Sequence, residues 1–133
     1  MSLPLHDRPA VLRRYLARCR GRTIEPGRFD CALFAADWFQ LCAGVDLAGA
    51  WRGQYRSFES GIALLEGGTH VDVLRSHAEP VLPGFALTGD LVVIDVDPLP
   101  ALGIVADGRA HVLAPSGGLD TVRLARASEV FRP

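Results

Sequence analysis

The sequence predicts an α+β domain, with helices first and an antiparallel sheet after them. Three observations carry this. Helical apolar patterns fall in residues 8–20 and 31–43, and short runs rich in Val, Ile and Leu fall between 89 and 124. The pair Asp107-Gly108 stands between two of those runs, a two-residue hairpin signal. With 133 residues and no repeat, low-complexity tract or long linker, the chain reads as a single domain over 1–133.

The elements follow in order. The first helix is expected from about Arg8 to Arg20, capped by Asp7, with Pro9 in its first turn and Gly21 as its stop. Val11, Leu12, Tyr15, Leu16 and Cys19 form one apolar stripe. The second helix starts at Asp30-Cys31, runs to about Ala43 and ends at Gly44. Its sequence CALFAADWFQLCA is apolar nearly all round, so it belongs at the centre of the fold. The Gly-rich, aromatic segment GVDLAGAWRGQYRS reads as an irregular loop. A third helix is expected over about Phe58–Glu66 with Ser57 as cap. A fourth begins after Thr69, where Thr69 and Asp72 match a capping box. His70 and His77, on this helix or at its ends, are expected to face solvent.

Pro80, Pro83 and Gly84 then break the chain. Strands are expected over 89–96, 101–106, 109–114 and 119–124, with Asp97, Pro98 and Pro100 turning between the first two. A last short helix or turn is expected over about Ala125–Phe131. The strands should form a meander, with the second helix packed on one face.

Composition excludes several function classes. All 14 basic residues are Arg, so lysine Schiff-base chemistry and a Walker-type phosphate loop are excluded. The net charge of −1 excludes disorder by self-repulsion. Seven Arg against Asp7 and Glu25 make residues 1–28 basic, by +5. No basic platform rich in aromatics accompanies them, so nucleic acid is not the expected partner and the Arg residues read as a solvated helix face. No stretch approaches 18 apolar residues, so no membrane span is expected. The start, MSLPLHDRPAV, lacks the apolar run of a signal peptide, so the product is expected to be cytoplasmic as synthesised. Cys19, Cys31 and Cys42, an odd count, read as free thiols. There is no CxxC pair and the four His are scattered, so no metal site or cofactor is expected.

Cys31 is the residue placed for chemistry. It stands in the first turn of a buried helix, directly after a capping Asp. Free N–H groups and the positive end of the helix dipole there favour a thiolate. The neighbouring Asp30 opposes it, and Arg28 could offset Asp30.

RFDCALFAADWFQ resembles the nucleophile segment of the NlpC-type cell-wall peptidases, which are papain-like in fold. Gly89-Asp90-Leu91-Val92 is similar to the family's Gly-Asp-apolar-apolar first strand, and ALGIVADG follows where the family carries His-apolar-Gly-Ile. The likeness covers about residues 22–125, and the GR-F-DC opening and the GVD…W-RG-Y loop look closest to small phage and prophage tail-associated members. The resemblance implies that Cys31 is a nucleophile that forms a thioester with a peptide carbonyl. It implies a His base on the second strand and an orienting polar residue on the third. It also implies stem peptides of peptidoglycan as substrate, phage tail proteins as partners, and a place in a virion.

The sequence departs from this pattern at the base. Ala101 occupies the position of the His, and Leu113 falls at the orienting position. Losing a positioned base costs on the order of 10²–10⁴ in rate. The nearest substitute is His111 on the third strand. It is expected on the Cys31 side of the sheet, sharing a face with Leu113, but outside direct reach of the sulfur. Two readings result. One is a cysteine hydrolase served by Cys31 and His111; the other is a catalytically inactive structural or binding module of a phage-like tail.

Overall fold

The computed structural model describes residues 2–96 and 99–133. They form an α+β domain with four helices and a six-stranded antiparallel sheet. The helices are α1 (Arg8–Arg20), α2 (Cys31–Ala43), α3 (Phe58–Ala63) and α4 (His70–His77). The strands are β1 (Glu79–Val81), β2 (Leu91–Ile94), β3 (Ala101–Ala106), β4 (Arg109–Leu113), β5 (Leu119–Arg123) and β6 (Ala127–Arg132).

The bounds of α1, α2, β3 and β4 follow the sequence expectation closely, and four details differ. Asp7 makes no capping bond to α1; it closes a 3₁₀ turn, Leu5–Asp7, that runs straight into the helix. The third helix is shorter than expected, because the chain turns after Ala63. Residues 79–81 form a strand within the segment read as a break, and its Pro80 is tolerated because β1 lies at the sheet's edge. The last segment is strand β6, not a helix or turn. It crosses back to lie between β1 and β2, so the order is β1-β6-β2-β3-β4-β5 and the sheet is more than a meander. Asp97 and Pro98 of the expected turn lie outside the described residues.

Strand alternation sorts the sheet into two faces. Leu91, Val93, Leu102, Ile104 and Ala106 face α1 and α2, where they meet Leu12, Tyr15, Phe34 and Trp38. Val92, Ile94, Val105, Ala110 and Val130 form a second cluster on the other face. β2 is therefore buried on both sides, which explains its unbroken apolar run. Trp38 and Phe34 are fully buried, and each such side chain contributes about 1.5–3 kcal/mol. Two hydrogen bonds fix α2 in place. Trp38 Nε1 donates to the Gly89 carbonyl (2.7 Å), and Tyr15 Oη donates to the Phe34 carbonyl (2.6 Å). Asp90, buried beside Gly89, is met by Arg132 of β6 at 2.9 and 3.0 Å and accepts from the Leu87 N–H. That pair ties the last strand to the start of β2.

Candidate active site

Asp30 starts the site. Its backbone is extended (φ −147°), and its side chain accepts from the Leu33 N–H at 2.9 Å, an N-cap. Its other oxygen accepts from the Gly27 N–H (3.1 Å) and from Tyr55 Oη (2.5 Å). One carboxylate thus joins the α2 start to the loop before it and to the irregular loop after it. Arg28 does not offset Asp30; it pairs with Glu25 at 3.7 Å on the surface. The irregular loop is held to α2 by Arg52, which reaches both Asp37 (2.5 Å) and Asp46 (2.8 Å).

Cys31 is the first residue of α2, and its side chain crosses to β3. The Leu102 N–H donates to Sγ at 2.9 Å, and the thiol reaches back to the Leu102 carbonyl at 3.7 Å. The pairing of β3 with β4 stops at Ile104 opposite His111. The sulfur takes the next backbone groups along β3, at Leu102. Burial pushes the thiol up, to about 11. The Leu102 N–H lowers it and the Asp30 charge raises it further. Burial and the Asp30 charge together outweigh the Leu102 N–H, contrary to the sequence expectation of a favoured thiolate. Cys19 and Cys42 are buried and also raised, whereas Cys31 keeps partial exposure.

That exposure opens into a cavity of about 680 Å³. Its walls are mostly apolar: Leu33, Leu47, Trp51, Phe58, Ile62, Leu65, Val73 and Leu102 contribute. Its titratable lining, among the described residues, is Asp30, Cys31, Tyr55, Glu59 and His70, with no Arg. Tyr55 is raised by burial and by its bond to Asp30.

Ala101 and Leu113, the positions that the family likeness assigns to base and orienting residue, both border this cavity. Ala101 stands opposite Ile94 and packs with the second cluster, so its Cβ lies on the outer face of β3. His111 stands opposite Ile104, which puts it on the face toward α2. It is buried, its Nε2 lies 3.2 Å from the Ala106 carbonyl, and it is not among the cavity-lining residues. No hydrogen bond joins it to Cys31. The structure thus gives His111 the expected face without bringing it to the sulfur.

His70 is the residue that sequence reasoning missed. It is not solvent-facing: it lines the cavity, and its Nε2 is buried with no hydrogen-bond partner among the described residues. Burial holds the ring below its ordinary pKa, opposed by the Pro100 carbonyl and by Asp30 and Asp72. The available signal was positional. His70 directly follows the Thr69 cap, as Cys31 directly follows Asp30. His77, as expected, is exposed.

Fold and site together define a class: an α+β domain with a partly exposed thiol at the start of a buried helix, open to an apolar cavity beside a sheet. Residues 4–133 match the model of a family described as "Domain of unknown function (DUF6950)", and the chain belongs to that family. No curated protein matches it. No helix among the described residues is long and apolar enough to cross a membrane. Nor is there, among those residues, a group of three or more His, Cys, Asp or Glu that could hold a metal ion.

Proposed function

We propose that the chain is a papain-like, NlpC-type cysteine hydrolase domain acting on peptide carbonyls, with stem peptides of peptidoglycan as the substrate class. One observation carries this reading. Cys31 leads a buried helix, is gripped by the edge of β3, and is the partly exposed thiol on a cavity large enough for a peptide side chain. Leu113, at the family's orienting position, borders the same cavity, whereas Ala101, at the base position, turns its Cβ to the outer face of β3, so a base must come from elsewhere. Placement in a phage-like tail rests on the sequence resemblance alone. The test is digestion of purified peptidoglycan, with released peptides read by mass spectrometry. Cleavage products that vanish in Cys31→Ala support the hydrolase; products that persist in that variant overturn it.

A second reading, a non-catalytic binding module, is favoured by a specific observation. The thiol is pushed up to about 11 by burial, and no hydrogen bond joins it to His111, the base candidate on the sheet. Binding of muropeptides without cleavage, unchanged in Cys31→Ala, is its signature.

A further inference from the structure

We propose that His70 is the base that takes the proton from Cys31, reaching the site from α4 instead of from β3. The inference rests on the reading of Cys31 as nucleophile and supplies what that reading lacks. The thiol and the imidazole line one cavity. They also engage nearly the same stretch of chain. Cys31 Sγ is held by Leu102, and the Pro100 carbonyl acts on the His70 ring. Pro100 and Leu102 are two residues apart, about 6.6 Å along an extended chain. Pro100 immediately precedes Ala101, the residue standing where the family likeness puts its base.

The chemical state of the ring suits the task. Nε2 is buried and has no partner among the described residues, which leaves a position for a proton or a thiol. The groups that act on it are Asp30 from the start of α2, Asp72 from its own helix and the Pro100 carbonyl, with Cys31, Tyr55 and Glu59 on the same cavity wall. Burial outweighs them and keeps the ring neutral at pH 7, which is the form a base requires. His111, by contrast, has its Nε2 against the Ala106 carbonyl. Hydrogen bonds between nucleophile and base are often long before substrate binds, so the absence of a direct bond in the resting site is compatible with the role.

The step balances without a further reactant. Sγ attacks the acyl carbon of an ester or amide as its proton passes to Nε2. The acyl–heteroatom bond breaks, and the proton is delivered to the leaving atom. The products are Cys31 thioester and the free alcohol or amine.

The test uses p-nitrophenyl butyrate, a neutral ester whose acyl chain suits the apolar walls. Acylation of Cys31 is followed by nitrophenolate release and by the mass of the Cys31 peptide. With His70 as base, the wild-type rate rises through the His70 titration below pH 6.5 and is flat from there to about pH 9. His70→Gln loses on the order of 10²–10⁴ at pH 7 and becomes first-order in hydroxide. His111→Gln keeps the wild-type profile. A His70→Gln rate equal to wild type overturns the proposal and leaves Cys31 as nucleophile. A wild-type rate first-order in hydroxide from pH 6 to 9 overturns it with no variant at all. No acylation of Cys31 in the wild type overturns the nucleophile reading, and this proposal with it.

Discussion

The backbone N–H of Leu102 donates to Sγ of Cys31 at 2.9 Å, just past the point where the pairing of β3 with β4 ends. A side chain of α2 thereby does on β3 what a neighbouring strand does elsewhere in the sheet. The bond has a structural consequence separate from chemistry. Cys31→Ala leaves a partly buried N–H without a partner, which costs about 1–3 kcal/mol. Cys31→Ser returns an acceptor and recovers most of that loss. Urea denaturation of the three proteins checks this: equal stability of Ala and Ser variants at position 31 would remove the bond's contribution.

Thiol labelling separates access from acidity. All three thiols are raised by burial, so none is selected by a low pKa. Cys31 alone keeps partial exposure and opens to a cavity. Brief iodoacetamide treatment of the folded protein is expected to modify Cys31 first, with Cys19 and Cys42 modified only on unfolding. Mass spectrometry of the three peptides reads the order. Uniform modification, or protection of Cys31, contradicts an open site.

Much of this arrangement was legible in the sequence, for local reasons. The start and end of α2 are written in Asp30 and Gly44, and its burial in an apolar surface with almost no polar face. The β3–β4 hairpin is written in Asp107-Gly108. What was hidden is non-local. ASEVFR reads ambiguously because its partners, β1 and β2, lie 33–53 residues earlier in the chain. Its Arg132 makes sense only beside the buried Asp90. Cys31 was visible because a helix start coincides there with a segment that resembles the nucleophile motif of the NlpC-type peptidases. His70 was not, because its burial comes from the cavity that other segments build around it.

Stability should fall with acid in two stages. His70 is held below its ordinary pKa, so between pH 6.5 and its folded value the unfolded chain binds the extra proton. Stability from this group is present above pH 6.5 and declines as pH falls through that window. Asp46, Asp72 and Glu129 are lowered, chiefly by Arg52, by the Thr69 N–H and by Arg75 respectively. Their contribution is present above about pH 4.5, the ordinary carboxylate range, and is lost below it. Thermal melts from pH 8 to 3 are expected to show both stages. His70→Gln should abolish the first and keep the second; a wild-type curve flat from pH 7 to 5 speaks against a buried neutral His70.

Gly27 and Gly53 give a paired test of how the two loops beside the site lock together. Both have left-handed backbone, φ 86° and 72°, so alanine at either position is strained by about 1–2 kcal/mol. They differ in surroundings. A Cβ on Gly53 meets nothing within 4 Å, whereas one on Gly27 would stand 2.0 Å from the Tyr55 carbonyl oxygen. That neighbour is backbone, and it cannot turn aside. The Gly27 carbonyl accepts from the Gly53 N–H at 2.9 Å, and its N–H donates to Asp30, so the loop cannot shift without loosening the cap of α2. Gly53→Ala should therefore cost about the backbone strain alone and leave Cys31 labelling unchanged. Gly27→Ala should cost roughly 3 kcal/mol or more, the strain plus overpacking. It should also raise the labelling rate of Cys31, because the start of α2 and Tyr55 move with it. Urea denaturation and iodoacetamide kinetics on the two variants decide the point. Equal destabilisation by both substitutions would mean that the contact between Gly27 and Tyr55 does not hold the site.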